Sequence, residues 1–301
     1  MEKMVFPNQH LKLEDLKRQP GVSGKYLNKN IPEYPKPEFH VSRLKHETSG
    51  SALSEIKTDG GFRDTKGESL IWWSLSVGPD EINNAETRLR GTVAPEQQNF
   101  LWRFATSPAF KETSRLGSFR FTFPLQEVLT AYSDQICSGA EPVMRVLQTD
   151  LYKKEVMYAV LVHSPHLNKK FKEHPLLKDD PNAICVYKDG HFIWRSEAMC
   201  DTHWYEYDKD QMEATPVEGY QQFYVWDNVA LALHVENNQV LKLDFNKPED
   251  FLTYCEKDDV TYRSEFQNLE EANELVKESW PEWEGPLKVE RPLQLHYQGL
   301  D

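Results

Sequence analysis

Apolar and polar residues alternate without a break from Ser118 to Phe123, so the three phenylalanines share one face of a strand that Pro124 ends. Leu70–Val77 and Val143–Thr149 predict two further strands, and Glu155–His163 is nearly all apolar after its first residue. A run of that kind suits a central strand buried on both faces. Ala183–Tyr187 and His191–Trp194 flank Lys188-Asp189-Gly190, where Asp-Gly supplies the positive φ of a tight hairpin turn. Phe39–Leu44 alternates as one strand. Phe223–Trp226 and Val229–Val235 read as two strands, or as a strand and a short helix. Asn237-Asn238 then turns the chain into a strand over Val240–Phe245.

Helical spacing predicts the remaining elements. Ser49 caps a short helix with Leu53 and Ile56 on one face, and Gly60-Gly61 ends it. Further helices are expected from Asp80 to Arg90, from Leu125 to Tyr132, near Pro248–Cys255 and over Asn268–Trp280. The last is acidic and amphipathic, and docks on its own domain or on a partner. These elements predict an α+β fold: a central, mixed, largely antiparallel split sheet with short flanking helices and a helical C-terminal tail. Three regions follow: an extended arm at residues 1–38, a core at 39–245 and an acidic helical region at 246–301. The arm is read as extended because Pro32, Pro35 and Pro37 bias their predecessors away from helix.

Composition narrows the class. Aromatics make up 12% of the 301 residues, which argues for a folded chain. The net charge of −13 divides as +2 over residues 1–38, −7 over 39–245 and −8 over 246–301. An acidic surface disfavours nucleic acid and anionic membranes as partners. Four widely spaced cysteines do not form a disulfide framework, and no CxxC pair suggests zinc. With no signal-peptide core and no long apolar run, the expected location is the cytoplasm with nuclear access.

Three segments carry candidate chemistry. Phe39-His40-Val41-Ser42 is followed by Ile56 to Gly61 and then Phe62-Arg63; a strand with a histidine leads into a helix and a Gly-Phe turn. His46, in Lys45-His-Glu-Thr-Ser49, is a competing start. Phe104-Ala-Thr-Ser-Pro-Ala-Phe110 places Ser107 and Phe110 together, although Ser107 before Pro108 is also a good helix cap. Glu155 enters the apolar strand, where it also suits a surface ion pair with Lys153 or Arg145. In this order the segments resemble ADP-ribosyltransferases over residues 39–163, under half the chain. The resemblance implies NAD as cofactor, with His40 (or His46) supporting the ribose and phosphates beside Phe62 and Arg63. It implies that Ser107 and Phe110 line the nicotinamide pocket. It makes Glu155 the carboxylate that stabilises positive charge at the anomeric carbon. Lys153 stands where the family has a second acidic residue or glutamine, which argues against transfer to arginine.

The expected partners are a nucleotide or a protein substrate, with no membrane. The alternative is a non-catalytic interaction protein with a regulatory or defence role. A weaker alternative is a cysteine-dependent hydrolase, with Cys200 next to His203 or His234. No metal site is expected.

Overall fold

The computed structural model describes residues 3–22, 36–64, 66–90, 101, 107–152, 155–197, 203–208, 211–216, 226–236, 239–258, 261–262 and 265–290. In chain order the elements are β1 (Met4–Pro7), α1 (Leu13–Lys17), β2 (Glu38–Val41), β3 (Arg43–Thr48), α2 (Gly50–Asp59), β4 (Gly61–Arg63), β5 (Leu70–Leu75) and α3 (Pro79–Arg90). Then come β6 (Phe119–Pro124), α4 (Leu125–Ile136), β7 (Val143–Tyr152), β8 (Glu155–His163), β9 (Cys185–Lys188) and β10 (His191–Arg195). The chain continues through β11 (His203–Asp208), β12 (Gln211–Pro216), β13 (Trp226–His234), β14 (Val240–Lys242), α5 (Pro248–Phe251), β15 (Leu252–Tyr254), α6 (Leu269–Ser279) and β16 (Lys288–Val289).

The fold is α+β. Nine strands form one mixed, mostly antiparallel sheet in the order β1-β7-β8-β13-β5-β3-β6-β15-β16. Smaller sheets are β2-β10-β9, β11-β12 and β14-β4. The apolar run of β8 lies inside the large sheet, antiparallel to β7 and parallel to β13, and Tyr158 to His163 are all buried. The hairpin between β9 and β10 turns at Asp189 (φ 51°) and Gly190 (φ 80°), both left-handed as Asp-Gly predicts.

The two faces of β3 and β6 are chemically different. On one face, Phe121 and Phe123 stack on Phe251 at 5.9 and 5.2 Å between centroids and meet Phe62 and Phe245. On the other, Glu47 lies opposite Arg120 in the register and Lys45 opposite Thr122. Residues 107–117 cover this second face: Lys45 Nζ donates to the Pro108 carbonyl, and Arg120 Nη2 donates to those of Lys111 and Thr113.

Several elements differ from expectation. The single strand expected over Phe39–Leu44 breaks at Ser42, so that β2 joins the small sheet and β3 the large one. Ser42 is held there, its hydroxyl on Glu81 (3.3 Å) and its carbonyl accepting from Leu125 N (2.8 Å). The helix expected over Pro248–Cys255 lasts one turn. Leu252 and Tyr254 then alternate inward as β15 along β6, because pairing there buries both side chains. The N-terminal arm contains β1, paired antiparallel with β7, and the short α1. The strand expected over Val240–Phe245 stops at Lys242. The hairpin β11-β12 was not expected, and the Asn237-Asn238 turn and residues 223–225 lie outside the described residues.

Candidate functional site

Glu155 is the first residue of β8, opposite Tyr152 of β7 and level with Trp226 of β13. Its side chain is 21% exposed. Arg115, carried by the covering segment 107–117, pairs with Glu155 Oε2 through Nη1. Tyr262 donates its hydroxyl to the same oxygen at 3.3 Å, and its ring sits 5.5 Å from that of Tyr152. Although Tyr262 is 48% exposed, desolvation of its phenol by the surrounding groups pushes it up to about 12, and the Glu155 charge adds to that. Burial would lower the Arg115 pKa, but the bond and charge of Glu155 outweigh it, so the net shift is upward. Glu155 Oε1 has no hydrogen-bond partner among the described residues.

Behind this pair the charges continue inward. Asp258 collects Lys111 Nζ (2.9 Å), Thr113 Oγ1 (3.2 Å) and Arg115 Nε (3.4 Å). Glu47 then accepts from Arg120 Nη2 (2.7 Å) and Ser114 Oγ (3.0 Å), with Lys45 Nζ at 3.3 Å. Burial alone would raise the Glu47 carboxyl; Lys45, Arg120 and the Ser114 bond more than offset it and hold it at about 2. Alternating charges thus run from the sheet face out to Glu155. The arrangement fixes the covering segment over the sheet, and it neutralises each carboxylate within the chain.

Ser107 is fully buried; its hydroxyl donates to the Asp227 carbonyl at 2.6 Å and accepts from Ala109 N at 3.2 Å. Phe110 closes the same turn through its N–H on the Ser107 carbonyl, and its ring stacks on Trp194 at 5.6 Å beside Phe39. Asp227 anchors this region. Its buried carboxylate accepts from Trp194 Nε1 (3.2 Å), Ser196 Oγ (2.7 Å) and Glu197 N (2.9 Å). Asp227 is level with Val156 in the parallel pair, so Ser107 is tied one rung from Glu155.

The histidines lie elsewhere. His40 is on β2 in the small sheet, with Nε2 at 2.8 Å from Glu38 Oε1, and Glu38 also accepts from Arg195 Nε. His46 is on β3 in the large sheet, with Nδ1 donating to the Trp72 carbonyl at 2.8 Å. Its ring contacts Phe62 at 4.9 Å and Trp73 at 5.6 Å, and Phe62 is only 1% exposed. Arg63 pairs with Asp59 and Glu55 on α2. The structure therefore joins His46 with Phe62, and Ser107 with Phe110. His40, Ser107 and Glu155 each engage a different set of protein groups. The ring of Phe62 packs against His46, Trp73 and Phe121, and that of Phe110 against Phe39 and Trp194.

Arg115, Asp258 and Tyr262 were not anticipated. No period marks them, since the Arg115–Glu155 contact spans 40 positions and the Lys111–Asp258 contact 147. Of the two partners expected for Glu155, Arg145 instead bonds His163, Asn168 and the His174 carbonyl, and Lys153 lies outside the described residues. Cys200 lies outside the described residues too. Among the described residues no group of three or more His, Cys, Asp or Glu is placed to hold a metal ion, and no helix is long and apolar enough to cross a membrane.

A second polar cluster closes the far end of β8. Phe171 lies between His163 (4.8 Å) and His234 (5.0 Å), with His174 at 6.2 Å. His163 Nε2 accepts from Arg145 Nε and His234 Nε2 from Lys170 Nζ, so both rings are held in the neutral form.

The nine-stranded sheet and its covered charge ladder define an α+β protein with a carboxylate fixed at the end of a central strand. No family model, curated protein or solved structure matches the chain.

Proposed function

We propose that this chain is a non-catalytic interaction protein in which the residues resembling an ADP-ribosyltransferase site serve as structural contacts. The observation that carries this reading is the state of Glu155. Its carboxylate is already paired with Arg115 and bonded by Tyr262. A carboxylate meant to stabilise a developing cation works best when its charge is not already compensated. The test uses isotope-labelled NAD⁺ with the full chain. The expected result is no nicotinamide release and no rise in melting temperature. Turnover that Glu155→Gln abolishes, with the fold retained, would refute the reading.

The second reading is ADP-ribosyl transfer with NAD as cofactor. Two observations favour it: Glu155 Oε1 lacks a partner among the described residues, and Ser107 is tied one rung away. Glu155 would then accept a ribose hydroxyl through Oε1 while Arg115 keeps the other oxygen in place. The same NAD⁺ experiment separates the two readings, because only the second gives turnover.

A further inference from the structure

We propose that the groove between α6 and the turn at residues 283–286 binds a basic peptide segment of a protein partner, seated by an apolar side chain. This rests on the interaction-protein reading and gives it a surface and a partner chemistry. The groove is open to solvent, with a volume of about 620 Å³. Trp283 and Leu269 supply its apolar surface, and Leu269 is 38% exposed. Among the described residues Glu270, Glu274 and Glu284 line it, with Lys277 as the only cation.

The walls are preformed. Asn268 and Glu271 make a reciprocal capping box at the start of α6. The Asn273 side chain donates to the Leu269 carbonyl and accepts from Leu287 N at 2.7 Å, which ties the helix to the segment after the turn. Trp280 is buried, with its indole N–H on the Phe245 carbonyl at 2.8 Å. A groove on such rigid elements loses little order on binding.

Charge selects the occupant. Glu270 and Glu274 stand four apart on one helix face, where like charges repel. Among the described residues neither they nor Glu284 forms an ion pair. An apposed lysine or arginine would relieve that repulsion, and a bulky apolar side chain against Trp283 would supply the anchor. Nucleic acid and anionic lipid are repelled by the same carboxylates. A second copy of a chain with net charge −13 would also approach against its own charge.

The experiment follows fluorescence anisotropy of labelled dodecapeptides against the full chain. One peptide alternates lysine and leucine, one glutamate and leucine, and one lysine and serine. The lysine–leucine peptide should bind, more weakly as salt rises, and the other two should not. Glu270→Lys with Glu274→Lys should weaken binding at least about tenfold, and Trp283→Ala similarly. Glu141→Lys with Glu173→Lys, an equal charge change on exposed positions elsewhere, should change it less than about twofold. Circular dichroism and melting temperature confirm that each variant folds. Equal weakening by the control pair, equal binding of the lysine–serine peptide, or no binding at all overturns the proposal. So does self-association that the groove variants abolish. NAD⁺ turnover with intact groove binding would sink the non-catalytic reading and leave the groove standing.

Discussion

Glu47→Gln removes one charge from the buried ladder and almost no volume. In the folded protein Lys45 and Arg120, both 4% exposed, face the Glu47 carboxylate within 3.3 Å. The carboxyl sits at about 2 when folded against 4.5 in a free chain. By linkage that difference corresponds to about 3 kcal/mol of stability at neutral pH. Removing the anion also breaks the buried pairing of Lys45 and Arg120, although Arg120 keeps Glu290 at 3.7 Å, and breaking a buried ion pair typically costs about 3–5 kcal/mol. A loss of about 3 kcal/mol is therefore expected. Urea unfolding followed by tryptophan fluorescence and circular dichroism measures it, provided the two transitions coincide. The pH dependence supplies a second check. A carboxylate whose folded pKa is depressed contributes fully above 4.5 and loses that contribution as pH falls through about 2. The gap between wild type and variant should therefore narrow over that window. A gap under about 1 kcal/mol at neutral pH, or one that stays constant on acidification, would show that the ladder does not stabilise the fold as described.

Three further outcomes are expected. Asp227→Ala strands the Trp194, Ser196 and Glu197 donors and should cost about 3 kcal/mol in urea unfolding, with Asp227→Asn costing less because its amide oxygen still accepts. Gly117→Ala should destabilise by more than about 3 kcal/mol, because a Cβ there lies 2.1 Å from the Thr48 carbonyl oxygen at φ 146°; an unchanged melting temperature would contradict the tight cover over β3. Burial, with Arg145 and Lys170 nearby, holds His163, His174 and His234 below the usual 6.5, His234 at about 4. Their contribution is full above 6.5 and is lost as pH falls toward 4, so melting temperature should drop across that window and drop less in His234→Gln.

The sequence determined the elements whose cause is local. The β8 strand follows from an unbroken apolar run, and the β9-β10 hairpin from Asp189-Gly190 at positive φ. The end of α2 follows from Gly60 at φ 67°, and the start of α6 from Asn268 as its cap. Tertiary structure decided what depends on distant partners. It split the Phe39–Leu44 strand at Ser42 and so placed His40 and His46 in different sheets. It turned the second half of Pro248–Cys255 into β15, because an open edge of β6 offered pairing that a short isolated helix lacks. It also decided the surroundings of Glu155, whose entry into the central strand is legible while its neutralisation by Arg115 is not. That contact requires the segment 107–117 to be folded over the sheet by Glu47 and Asp258, and no periodicity along the chain encodes such an encounter.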